Sequence, residues 1–161
     1  MPTLILLTVG TQLPFDRLIR AVDELAPSLG ETVFAQTGKS CYTPLHMGFA
    51  STVEPVAFDT MARRCSKIVA HAGIGTVLLA RRYCKPIILV PRQAALHEHR
   101  TNHQIATATA LRNHSGIYIA DDTAMLPELL TRSLSPPAID DVPPGRKQLN
   151  DTLFDFIQKT R

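Results

Sequence analysis

The run HAGIGT places a histidine just ahead of two closely spaced glycines, His71, Gly73 and Gly75, an arrangement that can hold an anion. Glycines let backbone N–H groups approach a ligand, and a helix beginning near Thr76 would aim the positive end of its dipole at the same point. The implied ligand is a phosphate or diphosphate. A GxG pair also occurs wherever a turn needs a positive φ, so the run gains meaning from what surrounds it. A second polar group follows in HEHRTNHQ, His97 to Gln104. His99 and His103 lie four apart, with His97 nearby, a spacing compatible with a metal ion. The run is not HExxH and no cysteine accompanies it, so metal is not the preferred reading. Glu98, Asn102, His103 and Gln104 instead offer the mixed donors and acceptors that sugar hydroxyls require. Glu98 could also act as a base, although nothing in the sequence fixes its pKa. No nucleophile elbow, Walker-type phosphate loop or recognisable carboxylate pair is present.

Both groups need a scaffold that brings them together. Lys67–Ala70 and Ile87–Val90 are short apolar runs separated by a glycine turn and a helix-compatible stretch, which predicts a βαβ unit. His71 then stands at the carboxyl end of the first strand, and the loop from Arg92 to Glu98 leaves the same edge of the sheet. Open α/β sheets bind their ligands there. Upstream, Thr3–Val9 reads as a buried strand followed by a helix carrying Leu18, Ile19, Val22 and Leu25. Thr32–Gln36 reads as a strand, Met47–Ser51 as another, and Pro55–Cys65 as a helix with Phe58, Met61, Ala62 and Cys65 on one face. Downstream, a helix from about Arg100 to Arg112, a strand over Gly116–Ala120 and a helix capped by Asp121 or Asp122 and running to Leu134 complete the pattern. Strands alternating with helices predict a parallel sheet covered on both faces, a Rossmann-like α/β domain over residues 1–134. Prolines at 136, 137, 143 and 144 mark residues 135–145 as a connector. Leu149, Leu153, Phe156 and Ile157 then give residues 146–161 an amphipathic helix, which packs on its own sheet or docks on another chain.

Composition narrows the class. A chain of 161 residues with 45% hydrophobic and 19% charged residues forms an ordinary globular domain. A formal charge of +3 with 6% aromatics gives no basic stripe or stacking platform, so nucleic acid is not an expected partner. Cys41, Cys65 and Cys84 lack CxxC spacing, which fits a reducing, cytoplasmic setting. The opening MPTLILLTVGTQ has neither the basic start of a signal peptide nor the length of a membrane span.

With these residues assembled, the chain resembles the C-terminal, nucleotide-sugar-binding domain of GT-B glycosyltransferases of family 28. Within that group it is similar to small catalytic subunits of two-part enzymes, the PssE-type exopolysaccharide subunit and the subunit adding the second N-acetylglucosamine in lipid-linked oligosaccharide synthesis. The resemblance rests on VGTQLPFDRLI at Val9–Ile19, FDTMARRCSKIVAHAGIGT at Phe58–Thr76, KPIILVPR at Lys85–Arg92 and NHQ at Asn102–Gln104. It implies a UDP-sugar donor as substrate, with no cofactor and no bound metal. Uracil would lie near Pro91 and Arg92, the diphosphate at His71, Ala72, Gly73, Gly75 and Thr76 together with Gly10 and Thr11, and the donor sugar near Asn102, His103 and Gln104. It also implies a membrane-anchored partner subunit that binds a lipid-linked acceptor and holds this chain at the cytoplasmic face of the membrane. The pattern departs from the family at Leu79, eight positions after His71, where relatives carry a ribose-binding Glu. Glu98 is one candidate to take over that role. A non-catalytic nucleotide-sugar-binding or scaffolding subunit is the alternative, and an unrelated Rossmann-like protein binding another phosphorylated ligand is a third.

Overall fold

Leu4–Thr8 forms the first strand, β1, in the computed structural model, which describes residues 3–138. Ile5, Leu6 and Leu7 are fully buried on alternating faces, so this strand is covered from both sides. Thr32–Gln36 (β2), Gly48–Ala50 (β3), Lys67–His71 (β4), Ile87–Val90 (β5) and Ile117–Ile119 (β6) join it in one sheet. All five pairings are parallel, in the order β3-β2-β1-β4-β5-β6. Helices α1 (Asp16–Leu25), α2 (Pro55–Arg64), α3 (Ile74–Arg82), α4 (His103–Leu111) and α5 (Leu126–Thr131) cross between them. This is the doubly covered Rossmann-like sheet that the alternating pattern predicts.

The period of two along each strand divides the core. Ile5, Leu7, Val69 and Ile88 face α1 and α5, where Leu18, Ile19, Val22, Leu126 and Leu130 close over them. Leu6, Ile68, Ile87 and Leu89 face the other way, toward α2, α3 and α4. There Ala62, Ala80 and Ala108, buried with Val77 and Leu111, are small enough to let the helices lie close.

Helix boundaries depart from the sequence expectation at three places, each for a local reason. α3 begins at Ile74 rather than near Thr76, because Gly73 already has the extended conformation of a cap and Gly75 enters the first turn. α4 begins at His103 rather than Arg100. The preceding loop is held in a tight fold by a 3-10 turn at Ala94–Leu96 and by His97, whose φ is 58°. α5 stops at Thr131 rather than Leu134, because the buried ammonium of Lys67 draws off the carbonyls of Leu130 and Arg132 at 2.8 and 3.3 Å. The start of the proline-rich segment packs onto the domain, with Pro137 against Gly116 and Ser135 hydrogen-bonded to Tyr118. The helix expected over residues 146–161 lies outside the described residues.

Candidate functional site

β1 is flanked by β2 on one side and β4 on the other, so the strand order reverses direction between β1 and β4. The crevice outside their carboxyl ends is the topological switch point, where sheets of this kind bind ligands. Thr8 pairs with Ala70 at the end of this ladder, which sets Gly10, two residues beyond Thr8, beside His71, the last residue of β4. The imidazole lies between two glycines. A Cβ built on Gly10 would stand 3.1 Å from the ring, and one built on Gly73 would stand 2.3 Å from Nε2. Gly10 also has a φ of 73°, and Gly38 in the next loop approaches so closely that its Cβ would meet the Gly10 carbonyl oxygen at 2.3 Å. These glycines are required by close approach as well as by turn geometry.

Beyond the ring, α3 starts without a side-chain cap, since Gly73 has no side chain to offer. By contrast, α2 is capped by the Glu54 carboxylate, which accepts the N–H groups of Val56 and Ala57 at 2.9 and 3.2 Å. The Gly73 N–H bonds back to the His71 carbonyl at 2.7 Å, which leaves the N–H groups of Ile74, Gly75 and Thr76 as the first-turn donors of α3. Gly75 is exposed, with nothing near its missing Cβ. Ala72 is buried behind the turn, whereas Thr11 is exposed at its mouth. Burial, followed by the nearby Arg92 guanidinium, pushes the His71 imidazole down to about 4, although the Thr8 carbonyl opposes the shift. The ring is therefore neutral at pH 7. Its buried Nδ1 has no hydrogen-bond partner among the described residues.

The opposite wall is the loop after β5. Its three successive N–H groups are each held by a side chain that the sequence places at the sugar site. Gln104 Oε1 accepts from Arg92 at 3.0 Å, Glu98 Oε2 from Gln93 at 3.0 Å, and Asn102 Oδ1 from Ala94 at 3.1 Å. Because each amide oxygen faces a backbone N–H, the NH₂ groups of Asn102 and Gln104 are the ends left for a ligand. Thus Asn102 and Gln104 both shape the loop and keep donors. The Glu98 carboxylate, the candidate ribose acceptor, is already engaged by Arg17 at 2.7 and 2.9 Å as well as by Gln93, and its side chain is only 10% exposed. Pro91 is buried, and its carbonyl accepts from Arg17 at 3.4 Å. Arg92 turns its side chain inward, so any contact it makes with a base at this edge comes from its backbone. Leu79, at the departed family position, packs against the core of the α2–α4 face.

His103 opens α4, and its ring meets that of His99 edge-on at a centroid distance of 6.5 Å. The two do not share a helix face, since His99 precedes the helix. Among the described residues, no three His, Cys, Asp or Glu side chains are grouped so as to hold a metal ion. Arg17 was not legible as a site residue, because its partner Glu98 lies 81 positions away.

The sequence matches the glycosyltransferase family 28 C-terminal domain over residues 4–138. The chain belongs to this family. Its fold is that of the C-terminal domains of GT-B glycosyltransferases, as several solved structures show. The calicheamicin glycosyltransferase CalG4 superposes with a TM-score of 0.62 at 16% identity, covering 97% of this chain and 39% of that one. The glycosyltransferase SnogD from Streptomyces nogalater gives 0.54 at 19% identity, covering 88% and 36%. The spinosyn forosaminyltransferase SpnP gives 0.56 at 16% identity, covering 92% and 44%. The chain thus spans less than half the length of each of these structures. Among curated proteins, none matches its sequence. The family 28 match covers almost all of the described residues, the α3 turn included, and none of the described helices is long and apolar enough to cross a membrane.

Proposed function

We propose that this domain binds a UDP-sugar at the carboxyl edge and donates the sugar to an acceptor held by a second, membrane-associated subunit. In this reading it is a hexosyltransferase-type catalytic subunit in polysaccharide or lipid-linked glycan synthesis. The observation that carries the reading is the uncapped first turn of α3, set behind Gly73 and beside the neutral ring of His71. Three N–H donors and a helix dipole favour a diphosphate at that point. The amide NH₂ groups of Asn102 and Gln104 on the facing wall suit sugar hydroxyls.

The chemistry follows from this placement. An acceptor oxygen attacks the anomeric carbon from the face opposite the diphosphate, the bond from that carbon to the phosphate oxygen breaks, and UDP leaves with the electron pair. Negative charge grows on the leaving oxygen, where the α3 N–H groups already point and need no reorganisation. Configuration at the anomeric carbon is inverted. The domain spans under half of the GT-B structures it matches, which supports an acceptor site outside residues 3–138; on the same reading the partner would hold the chain at the cytoplasmic membrane face.

A second reading, a non-catalytic nucleotide-sugar-binding or scaffolding subunit, is favoured by the apolar packing of Leu79 and the engagement of Glu98 by Arg17. Titration calorimetry with UDP, UDP-glucose, UDP-N-acetylglucosamine and UDP-glucuronate tests the site itself. Binding by the intact chain that is lost in a folded His71→Ala variant is the expected result. Absence of binding by the folded wild-type chain would count against the site. Turnover in the reconstituted complex that is unaffected by His71→Ala would favour the scaffold reading.

A further inference from the structure

Arg92 is 2% exposed, and its hydrogen-bond partners among the described residues include no carboxylate. Its guanidinium instead gathers the loop between β1 and α1. One terminal nitrogen donates to the carbonyls of Val9 and Leu13 at 2.7 and 2.9 Å, and the other donates to that of Pro14. The guanidinium also stacks over the Phe15 ring at 4.7 Å. Gly10 and Thr11 lie inside the segment wrapped in this way. The loop that would face the diphosphate is therefore folded around a cation rooted in the opposite loop. That opposite loop is fixed in turn by Gln104, Glu98 and Asn102 through three successive N–H groups, and Glu98 returns to α1 through Arg17.

The geometry points to Arg92 as a positioning residue that holds the Gly10–Thr11 loop in its phosphate-binding shape from the nucleotide-sugar side of the cleft, rather than as a ligand of the phosphates. This rests on the reading of the carboxyl edge as a nucleotide-sugar site. The fork matters because two nitrogens in a fixed plane reach three carbonyls, which a single ammonium on a flexible stem does not reproduce. A buried positive charge also projects a field toward the crevice, so position and charge must be separated by experiment.

Arg92→Lys keeps the charge and loses the fork, whereas Arg92→Gln loses both. Amide hydrogen exchange on the unliganded full chain reads the loop directly, and calorimetry with UDP and with uridine reads its consequence. In both variants, exchange over residues 9–15 is expected to accelerate by about tenfold or more, while β4 stays protected. UDP affinity is expected to fall by about tenfold or more, uridine affinity by less than about twofold. Unchanged loop protection in folded Arg92→Lys would overturn the assignment. So would UDP affinity preserved in Arg92→Lys but lost in Arg92→Gln, since that pattern belongs to charge alone. Failure of both variants to fold would assign Arg92 to core stability and also overturn it. If the wild-type chain binds no UDP while its loop loosens in both variants, the clamp stands and the nucleotide-sugar reading of the site fails.

Discussion

Replacing Gly73 by alanine sets two physical effects against each other. The residue has φ −100° and ψ 136°, a conformation any amino acid adopts. Backbone entropy alone then favours alanine by about 0.4–1 kcal/mol, because the unfolded chain loses freedom. The added methyl group, however, falls 2.3 Å from Nε2 of His71, 2.9 Å from Cδ2 and 3.1 Å from Cε1. The ring has little space to retreat into, since Gly10 lies on its other side. Overpacking of this kind costs about 1–3 kcal/mol. The net expectation is a loss of about 1–2 kcal/mol, a fall in Tm of several degrees for a domain of this size. Urea unfolding measures it. The double variant His71→Ala/Gly73→Ala should be more stable than additivity predicts, because the first substitution removes what the second collides with.

Gly75→Ala is the control, two residues along the same turn. Nothing lies within 4 Å of its Cβ position, and it sits inside α3, where alanine is favoured over glycine by up to about 1 kcal/mol. That variant should gain stability while losing UDP affinity, because its methyl group stands where a phosphate would approach the N–H groups. A Gly73→Ala protein as stable as the wild type, with no coupling to His71, would refute the placement of the imidazole between the two glycines.

Two other outcomes follow from the same edge. His71 is neutral in the folded protein down to about 4, whereas in the unfolded chain it takes up a proton near pH 6.5. Folding stability should therefore fall as pH drops through that interval, by up to about 3 kcal/mol at its lower end, and His71→Gln should flatten that part of a pH-dependent urea series. Leu79→Glu should raise UDP affinity by about tenfold in calorimetry if a ribose lies beside α3, and leave it unchanged if the ribose lies elsewhere.

How far the sequence could be read depends on the range of the interactions involved. The central strands were legible because Leu4–Leu7 and Ile87–Val90 are unbroken apolar runs, and Ile5–Leu7 and Ile87–Val90 are buried on both faces. The His71–Gly73 turn was legible because its parts are adjacent in sequence. Helix ends were less so. The stop at Thr131 depends on the ammonium of Lys67, which reaches Leu130 from 63 positions away, and no local pattern announces it. The inward turn of Arg92 was hidden for the same reason: its carbonyl partners lie 78 to 83 positions earlier, so a cation at a ligand-binding edge reads as a ligand group until the fold is known. Glu98 is the mirror case, a carboxylate at the right edge that Arg17 has already engaged.

That engagement bears on where the proton of the acceptor hydroxyl goes. Among the described residues, carboxylates on the loops and helix starts along this edge are occupied, Glu54 at the cap of α2 among them. Asp16 accepts the N–H groups of Cys41 and Tyr42 at 2.8 and 3.0 Å, and Glu98 holds Arg17 and Gln93. Asp121 pairs with Arg112 at 2.6 Å, and Asp122 caps the turn at Thr123–Met125 through the Ala124 N–H at 2.8 Å. A general base must reach the proton it takes with a free lone pair. On the proposed reading, the second subunit then supplies the base together with the acceptor, while this domain supplies the donor and the stabilisation of the leaving UDP. Glu98→Gln in the reconstituted complex separates the possibilities. With Glu98 only shaping the loop, the variant should raise KM for the donor and leave the acidic limb of the kcat–pH profile in place. Loss of that limb in Glu98→Gln would make Glu98 itself the base and show that its bond to Arg17 opens during turnover.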